Sequence, residues 1–168
     1  QIIIVMALTV PLWYFLLKRF PKRQVFRGIL VLMVFGFTAA FFIGSYPLFS
    51  IYLQAVIILS LTIIPFGGMF ATVLAVIADI TDYDELKFGA RREAIYYGIY
   101  GIVRKTGWAL CSLIVVGIFS VFGYSVENPM GVRMIWLVCA GTCFLALIAF
   151  IPYKLGDSKE ETRKIMAL

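Results

Sequence analysis

The sequence predicts an all-α fold, a polytopic bundle of about five membrane-spanning helices. Of its 168 residues, 62% are hydrophobic and 14% are charged, against roughly 45–50% apolar and about 25% charged in a soluble domain. The apolar residues are gathered into long runs, and a helix needs about 20 mostly apolar residues to cross roughly 30 Å of hydrocarbon. Nearly all charged residues lie between these runs or after the last one.

The apolar stretches are expected to form helices in chain order. Because the chain enters the first stretch directly at Gln1, we expect a fragment of a longer protein. The third run is too long for one straight span at about 1.5 Å per residue. Its Pro65-Phe66-Gly67-Gly68 element should kink or break the helix, since proline removes an intrahelical hydrogen bond. The expected helices cover 2–17, 28–46, 48–78, 93–122 and 132–153, in a membrane domain 1–153 with a polar tail, 154–168.

Basic residues are distributed unequally between the two ends of these helices. One end has Arg133 alone, whereas twelve Lys and Arg residues fall at the other end. Because Lys and Arg accumulate in cytoplasmic loops, we expect the C-terminus to be cytoplasmic. The membrane is expected to be a bacterial or archaeal plasma membrane. The excess of basic residues behind the net charge of +6 is then explained by the orientation of the chain in the lipid bilayer, and it requires no nucleic acid as a partner. The twelve residues are Lys18, Arg19, Lys22, Arg23, Arg27, Lys87, Arg91, Arg92, Lys154, Lys159, Arg163 and Lys164.

Two cations, Arg104 and Lys105, lie inside the fourth apolar stretch. At about 1.5 Å per residue, Lys105 is roughly 18 Å from Glu93, near the middle of the bilayer. Each such charge costs roughly 2.5–3.5 kcal/mol to insert, so charges at this depth typically mark a water-filled cavity or an ion pathway. A carboxylate on another helix, or a side chain that snorkels to the interface, would also accommodate them.

Helical spacing places different neighbours beside each of these cations. Tyr97, Tyr100 and Trp108 lie near Arg104, where a ring can stack on the cation, line a sugar-sized pocket or pack against another helix. Small residues share the face of Lys105, which is typical of an open cavity or of a close helix contact. These small residues are Gly98, Gly101, Ala109 and Ser112.

The segment 79–93 carries five acids and three bases, and we expect it to be a loop. Solvation of two helix ends explains part of this charge, because Gly89 supplies a turn and Glu93 faces a favourable helix dipole. The functional alternative is a set of salt bridges that holds a cytoplasmic gate closed. The candidate gate residues are Asp79, Asp82, Arg91, Arg92 and Glu93.

Neither a catalytic centre nor a metal site is expected. The chain has no His, which removes the His-bearing zinc and haem sites. Asp79 and Asp82 lie at the water boundary without a nucleophile and base beside them. We therefore expect a protein that is not an enzyme and that holds no cofactor.

The segment 79–93 and the fourth stretch resemble the glycoside-pentoside-hexuronide:cation symporters, the melibiose-permease-like branch of the major facilitator superfamily. The resemblance covers about residues 50–125. It implies that the five stretches are helices eight to twelve of such a transporter, mostly its C-terminal half, with the missing N-terminal half as a partner. It rests on Ala78-Asp79, Asp82-Tyr83, Glu85, Lys87, Gly89, Arg91, Glu93, Lys105 and Gly123-Tyr124.

The resemblance also implies roles for individual residues. Lys105 occupies the position of the family's membrane-embedded lysine, near the sugar and cation sites, and Phe70 falls where relatives have a pocket aromatic residue. Arg104 is a second cation beside that lysine. The coupling cation, Na⁺ or H⁺, is implied to bind mostly in the missing N-terminal half.

The leading interpretation is cation-coupled symport of a sugar or glycoside by alternating access. The run Glu93-Ala94-Ile95-Tyr96-Tyr97 also resembles the related lysophosphatidylcholine symporters, so a lysolipid substrate is an alternative. A second alternative is a non-transporting scaffold subunit whose buried charges pair with a partner helix.

Overall fold

Five α-helices make up the structure, a computed structural model that describes residues 2–45, 50–125 and 128–153. Their bounds are Ile2–Arg19 (α1), Lys22–Phe41 (α2), Ile51–Phe88 (α3), Glu93–Phe122 (α4) and Met130–Ala149 (α5). Within the described part of the chain, α2 to α5 are long and apolar enough to cross a membrane. The polar tail lies outside the described residues. The all-α helical bundle expected from the composition is confirmed.

Two helices begin at a proline and not where the hydropathy rises. We expected the second helix over 28–46, but α2 begins at Lys22, directly after Pro21. We expected the fifth over 132–153, but α5 begins at Met130, directly after Pro129, and ends at Ala149. Proline presets a helical φ and needs no hydrogen-bond partner at a helix start. Hydropathy instead marks the depth at which a helix enters lipid.

The third helix is longer than the sequence suggested, so two expectations about it were wrong. The expected helix 48–78 and the expected loop 79–93 are replaced by α3, which continues to Phe88. Charged residues do not by themselves end a helix, whereas glycine in a left-handed conformation does. Gly89 has a φ of 71° and donates its N–H to the carbonyl of Glu85 at 2.9 Å.

The third helix was expected to kink or break at Pro65, and no break occurs, since α3 runs through this buried residue. Trp13 of α1 packs beside it, and its indole Nε1 donates a hydrogen bond of 2.8 Å to the carbonyl of Ile64. Proline has no N–H to offer the carbonyl four residues earlier, that of Leu61, and the Trp13 bond goes to a different carbonyl. The contact with Trp13 instead joins α1 to α3 beside the proline.

The apolar core lies where α1, α2 and α3 meet. Trp13, Val25, Ile29 and Met33 form its buried centre. Partly buried side chains from α1, α2, α3 and α5 surround it. By contrast, α4 contributes no buried residue.

Gly68 provides a direct test of this core. A Cβ at Gly68 would lie 2.6 Å from Trp13 Cε2 and 2.9 Å from Ile29 Cδ1. We expect Gly68→Ala to destabilise the protein by about 1–3 kcal/mol, because overpacking a close helix contact forces side chains apart. The matched control is Gly28→Ala, where a Cβ meets nothing within 4 Å. Thermal unfolding of both purified variants measures the difference, and equal melting temperatures would contradict the packing described.

Of the basic clusters expected on one side, the two that the structure describes, in 18–27 and 87–92, lie at the same end of the bundle, here called the basic end. Lys22 Nζ of α2 lies 2.6 Å from Asp79 Oδ1 of α3. Arg27 donates to the carbonyl of Ile151, after α5, at 2.8 Å. At the opposite end, Arg133 donates to the carbonyl of Ile43 at 3.2 Å. The helices thus alternate in direction across the bundle.

Candidate functional site

The middle of α4 is the most exposed part of the bundle. Every residue from Ile102 to Ile114 is exposed. At its two ends, α4 contacts the other helices: Tyr96 and Tyr100 line a groove with α3, and Phe119 approaches the start of α5. This leaves the segment that carries Arg104 and Lys105 without a covering helix in the described residues.

Arg104 lies between two aromatic rings of its own helix. Its guanidinium carbon is 5.6 Å from the ring centroid of Tyr100 and 5.2 Å from that of Trp108. Both distances fall within the range of about 6 Å over which a ring attracts a cation. The rings are one turn before and one turn after the arginine, so they hold its side chain along the helix surface.

Lys105 has a different environment on an adjacent face. Among the described residues, it forms no hydrogen bond or ion pair, and it is exposed. The neighbouring Gly98 and Gly101 have no other atoms near the positions where side chains would begin. The small-residue face is therefore open space in the described segment and not a close contact between its helices.

The remaining expected pathway residues are Tyr97 and Phe70. Tyr97 is partly buried near the start of α4. Phe70 lies on α3, is exposed, and stacks edge to face on Phe66 of the same helix with ring centroids 5.5 Å apart. Tyr100, Arg104 and Trp108 thus form a row of contacts along α4. The ring contact of Phe70 is with another residue of α3 and does not join it to this row.

An apolar groove separates α3 from the first half of α4. Its volume is about 350 Å³, and its lining includes one aromatic ring from α2, Phe26, and one from the residue directly after α5, Phe150. Tyr100 joins this groove to the aromatic row around Arg104.

A bidentate ion pair at the basic end joins Asp84 of α3 to Arg92, the residue before α4. Arg92 Nη2 and Nε donate to the two carboxylate oxygens of Asp84 at 2.8 and 2.9 Å. The Asp84 side chain is 4% exposed and that of Arg92 is 44% exposed. A bidentate guanidinium–carboxylate pair is both strong and directional. It fixes the turn between α3 and α4.

Arg91 makes weaker contacts in the same turn. Its Nε lies 3.2 Å from Glu93 Oε2, and its Nη1 lies 4.0 Å from Glu85 Oε2. The Arg91 side chain is 56% exposed. Exposed pairs of this kind contribute only about 0–1 kcal/mol. Neighbouring arginines therefore differ, since Arg92 is fixed and Arg91 can exchange partners.

Sequence reasoning missed two partners at this end, Asp84 and Lys22. It named Arg92 and Asp79 as gate residues but did not pair them with these side chains. The signal for Asp84 was present, because a helix that ends at Gly89 brings the following residues back to its last turn. The pair Lys22–Asp79 joins two helices far apart in sequence, and no spacing rule predicts it.

These features define a helix bundle with two exposed cations in the middle of α4, a helix long and apolar enough to cross a membrane. The chain matches the family model described as MFS/sugar transport protein over residues 1–157. It therefore belongs to that family, and the resemblance to glycoside-pentoside-hexuronide:cation symporters is confirmed. The protein is an integral membrane protein.

Three curated relatives are similar to the chain. A candidate sulfoquinovose importer of Salmonella typhimurium is 29% identical over 84% of the chain and 31% of its own length. A glucuronide carrier protein homolog of Escherichia coli is 30% identical over 86% of the chain and 32% of its own length. A raffinose carrier protein of Pediococcus pentosaceus is 33% identical over 58% of the chain and 14% of its own length. The chain thus spans about a third of the length of the first two relatives. No solved structure matches it significantly.

Proposed function

We propose that the full-length protein containing this chain is a secondary active transporter that moves a sugar or glycoside together with Na⁺ or H⁺. The observation that carries the proposal is the lysine at the centre of α4, in a chain of the MFS/sugar transport protein family. A charge at that depth is costly to insert and is retained where it serves a solute or ion pathway. The protein is then a carrier and not an enzyme.

The proposed mechanism is alternating access, in which this chain forms most of the C-terminal half and rocks against the N-terminal half. The proposed pathway residues are Lys105, Arg104, Tyr97, Tyr100, Trp108 and Phe70. Lys105 would meet a carboxylate of the N-terminal half, which links cation binding to solute binding. The open face around Lys105 supports this role, because that face leaves room for a partner helix and for water.

We further propose that Asp82 and Arg91 belong to a cytoplasmic gate whose contacts differ between inward-open and outward-open states. Asp79, Arg92 and Glu93 are the other proposed members. The weak contacts of Arg91 support this division, because a gate needs pairs that exchange at low cost. Within this proposed gate Arg92 is the member that keeps its partner, because its bidentate pair with Asp84 is suited to hold α3 and α4 together while the other contacts exchange.

The names of the three relatives point to sugars and leave the charge of the solute open. Sulfoquinovose and glucuronides are acidic, whereas raffinose is neutral.

An uptake screen on the full-length protein, with neutral sugars, acidic sugars and lysolipids in the presence and absence of Na⁺, tests the proposal. We expect uptake confined to sugars. Uptake of lysolipids alone, or no uptake by a correctly inserted protein, would contradict it.

Topology gives a separate prediction. We expect Lys159→Cys to be protected from an impermeant thiol reagent in intact cells and Glu127→Cys to be labelled, because the basic end should face the cytoplasm. Both positions lie outside the described residues. The background protein has Cys111, Cys139 and Cys143, together with any cysteine of the full-length protein outside this chain, replaced by Ala, so that only the introduced thiol reacts. Labelling at position 159 with protection at 127 would reverse the orientation.

A further inference from the structure

One turn of α3 is weaker than the rest of this 38-residue helix, the turn that ends at Pro65. Because proline has no N–H, the carbonyl of Leu61 loses its usual helical donor, and the proline ring crowds that carbonyl. Gly67 and Gly68 follow directly, and glycine gives the least stable helix of any residue except proline. Sharp bends in long helices occur mostly at such positions. We therefore expect α3 to bend most easily at Pro65.

The indole of Trp13 contacts α3 on both sides of this proline. Its Nε1 donates a hydrogen bond of 2.8 Å to the carbonyl of Ile64, directly before the proline. Its ring lies against the backbone of Gly68, where an added Cβ would come within 2.6 Å of Cε2. Trp13 is 5% exposed and belongs to the buried centre of the core. One rigid side chain thus spans the turn at Pro65, so a change of bend there must alter at least one of these contacts.

The two parts of α3 on either side of Pro65 have different attachments. The part before the proline is joined to the end of α2, because Gln54 Oε1 accepts the N–H of Gly44 at 2.9 Å. The part after it runs to the basic end, where Asp79 Oδ1 lies 2.6 Å from Lys22 Nζ. This second part is about 35 Å long at about 1.5 Å per residue. A bend of about 20° would therefore displace its end by about 12 Å, and it would carry the proposed gate residues of α3 with it.

We propose that Pro65 is a hinge in α3 and that the indole of Trp13 stabilises one of its two positions, the one in which its hydrogen bond to the Ile64 carbonyl is formed. The inference rests on the proposed alternating access and adds the helix that bends and the side chain that controls the bend. When access changes, the basic-end part of α3 moves and this hydrogen bond breaks. One hydrogen bond changes such an equilibrium about 2- to 10-fold, which biases the hinge without blocking it.

Two pairs of spin labels on the full-length protein measure this movement. The first pair, Phe20→Cys with Ala90→Cys, lies at the basic end, and the control pair, Phe42→Cys with Tyr52→Cys, lies at the opposite end; all four positions are exposed. The other cysteines are replaced by Ala, and distances are measured by double electron–electron resonance in nanodiscs. Samples contain or lack Na⁺ and a sugar that the uptake screen identifies. We expect two populations for the first pair, up to about 12 Å apart, and one population for the control pair.

Two substitutions should change the ratio of displaced to undisplaced protein in opposite directions. Trp13→Phe removes the N–H and keeps a ring, so we expect the ratio to rise about 2- to 10-fold. Pro65→Ala gives the Leu61 carbonyl a donor and should lower the ratio at least about tenfold. Pro65→Ala leaves the indole in place, so it tests the hinge even if Trp13→Phe destabilises the core. The matched control is Trp136→Phe, whose ring stacks on Phe37 between α5 and α2, and it should leave the ratio within about twofold.

The outcomes separate this inference from the proposed transport. A purely structural role of Trp13 would lower the melting temperature and leave the ratio of the two populations unchanged. A single population for the first pair under all conditions, or a ratio that neither Trp13→Phe nor Pro65→Ala changes, would overturn the hinge, even if the same preparation takes up sugar. Equal movement of the control pair would place the hinge elsewhere and also overturn it. Two populations that respond to both substitutions, in a protein that takes up no sugar, would support the hinge and contradict the proposed function.

Discussion

Lys105→Ala is expected to abolish cation-driven uptake while the protein still inserts and folds. In the proposed mechanism the ammonium links the cation site to the solute, and its removal breaks that link for every solute. Folding should be retained, because Lys105 is exposed in the described segment. Removing a central charge also lifts an insertion cost of roughly 2.5–3.5 kcal/mol. Uptake driven by an imposed ion gradient, measured beside the amount of inserted protein, checks both parts.

Two further variants sharpen this test. Lys105→Arg should rescue poorly, because a broad planar fork does not replace a compact ammonium in a coordinated site. Lys18→Ala removes an exposed lysine at the basic end and should leave uptake intact. Near-normal driven uptake in Lys105→Ala, together with complete loss in Arg104→Ala, would assign the coupling charge to the neighbouring residue.

Arg92→Ala is expected to be among the most destabilising single changes at the basic end. It leaves the Asp84 carboxylate, which is 4% exposed, without its bidentate partner. Losing a hydrogen-bonded charge costs about 1.5–3 kcal/mol. We expect the free energy of unfolding to fall by an amount in this range. Breaking a fully buried pair would cost roughly 3–5 kcal/mol, but solvent reaches Arg92.

The adjacent Arg91→Ala provides the control for this prediction. Arg91 is 56% exposed and should contribute no more than about 1 kcal/mol. Chemical unfolding of both variants in detergent compares them directly. The double variant Asp84→Asn with Arg92→Ala should recover part of the stability, since it removes the unpaired charge. Equal effects of Arg91→Ala and Arg92→Ala would show that the pair with Asp84 does not hold the turn.

The sequence predicted the number and order of the helices better than their ends. Runs of apolar residues report lipid contact, whereas backbone geometry decides where a helix begins. Pro21 therefore starts α2 before the apolar run, and Gly89 ends α3 beyond the charged residues. No break occurs at Pro65, and the contact of Trp13 with the backbone beside it joins two helices that no local pattern relates.

The candidate site divides in the same way between local and distant contacts. The stacking of Arg104 with Tyr100 follows from helical spacing, and Trp108 completes the row one turn later. The pair Lys22–Asp79 depends on how α2 packs against α3, which no spacing in the sequence encodes. The carboxylate that we propose to meet Lys105 belongs, in that proposal, to an N-terminal half outside this chain, so no pattern in this sequence could predict its position.

Driven accumulation in vesicles tests the central claim most directly. The purified full-length protein is reconstituted, an inward Na⁺ or proton gradient is imposed, and the internal concentration of a radiolabelled sugar that the uptake screen has identified as a substrate is followed. Coupled symport predicts transient accumulation above the external concentration and its collapse when an ionophore dissipates the gradient. Simple equilibration of the sugar under both gradients, or no entry at all, would contradict cation-coupled transport.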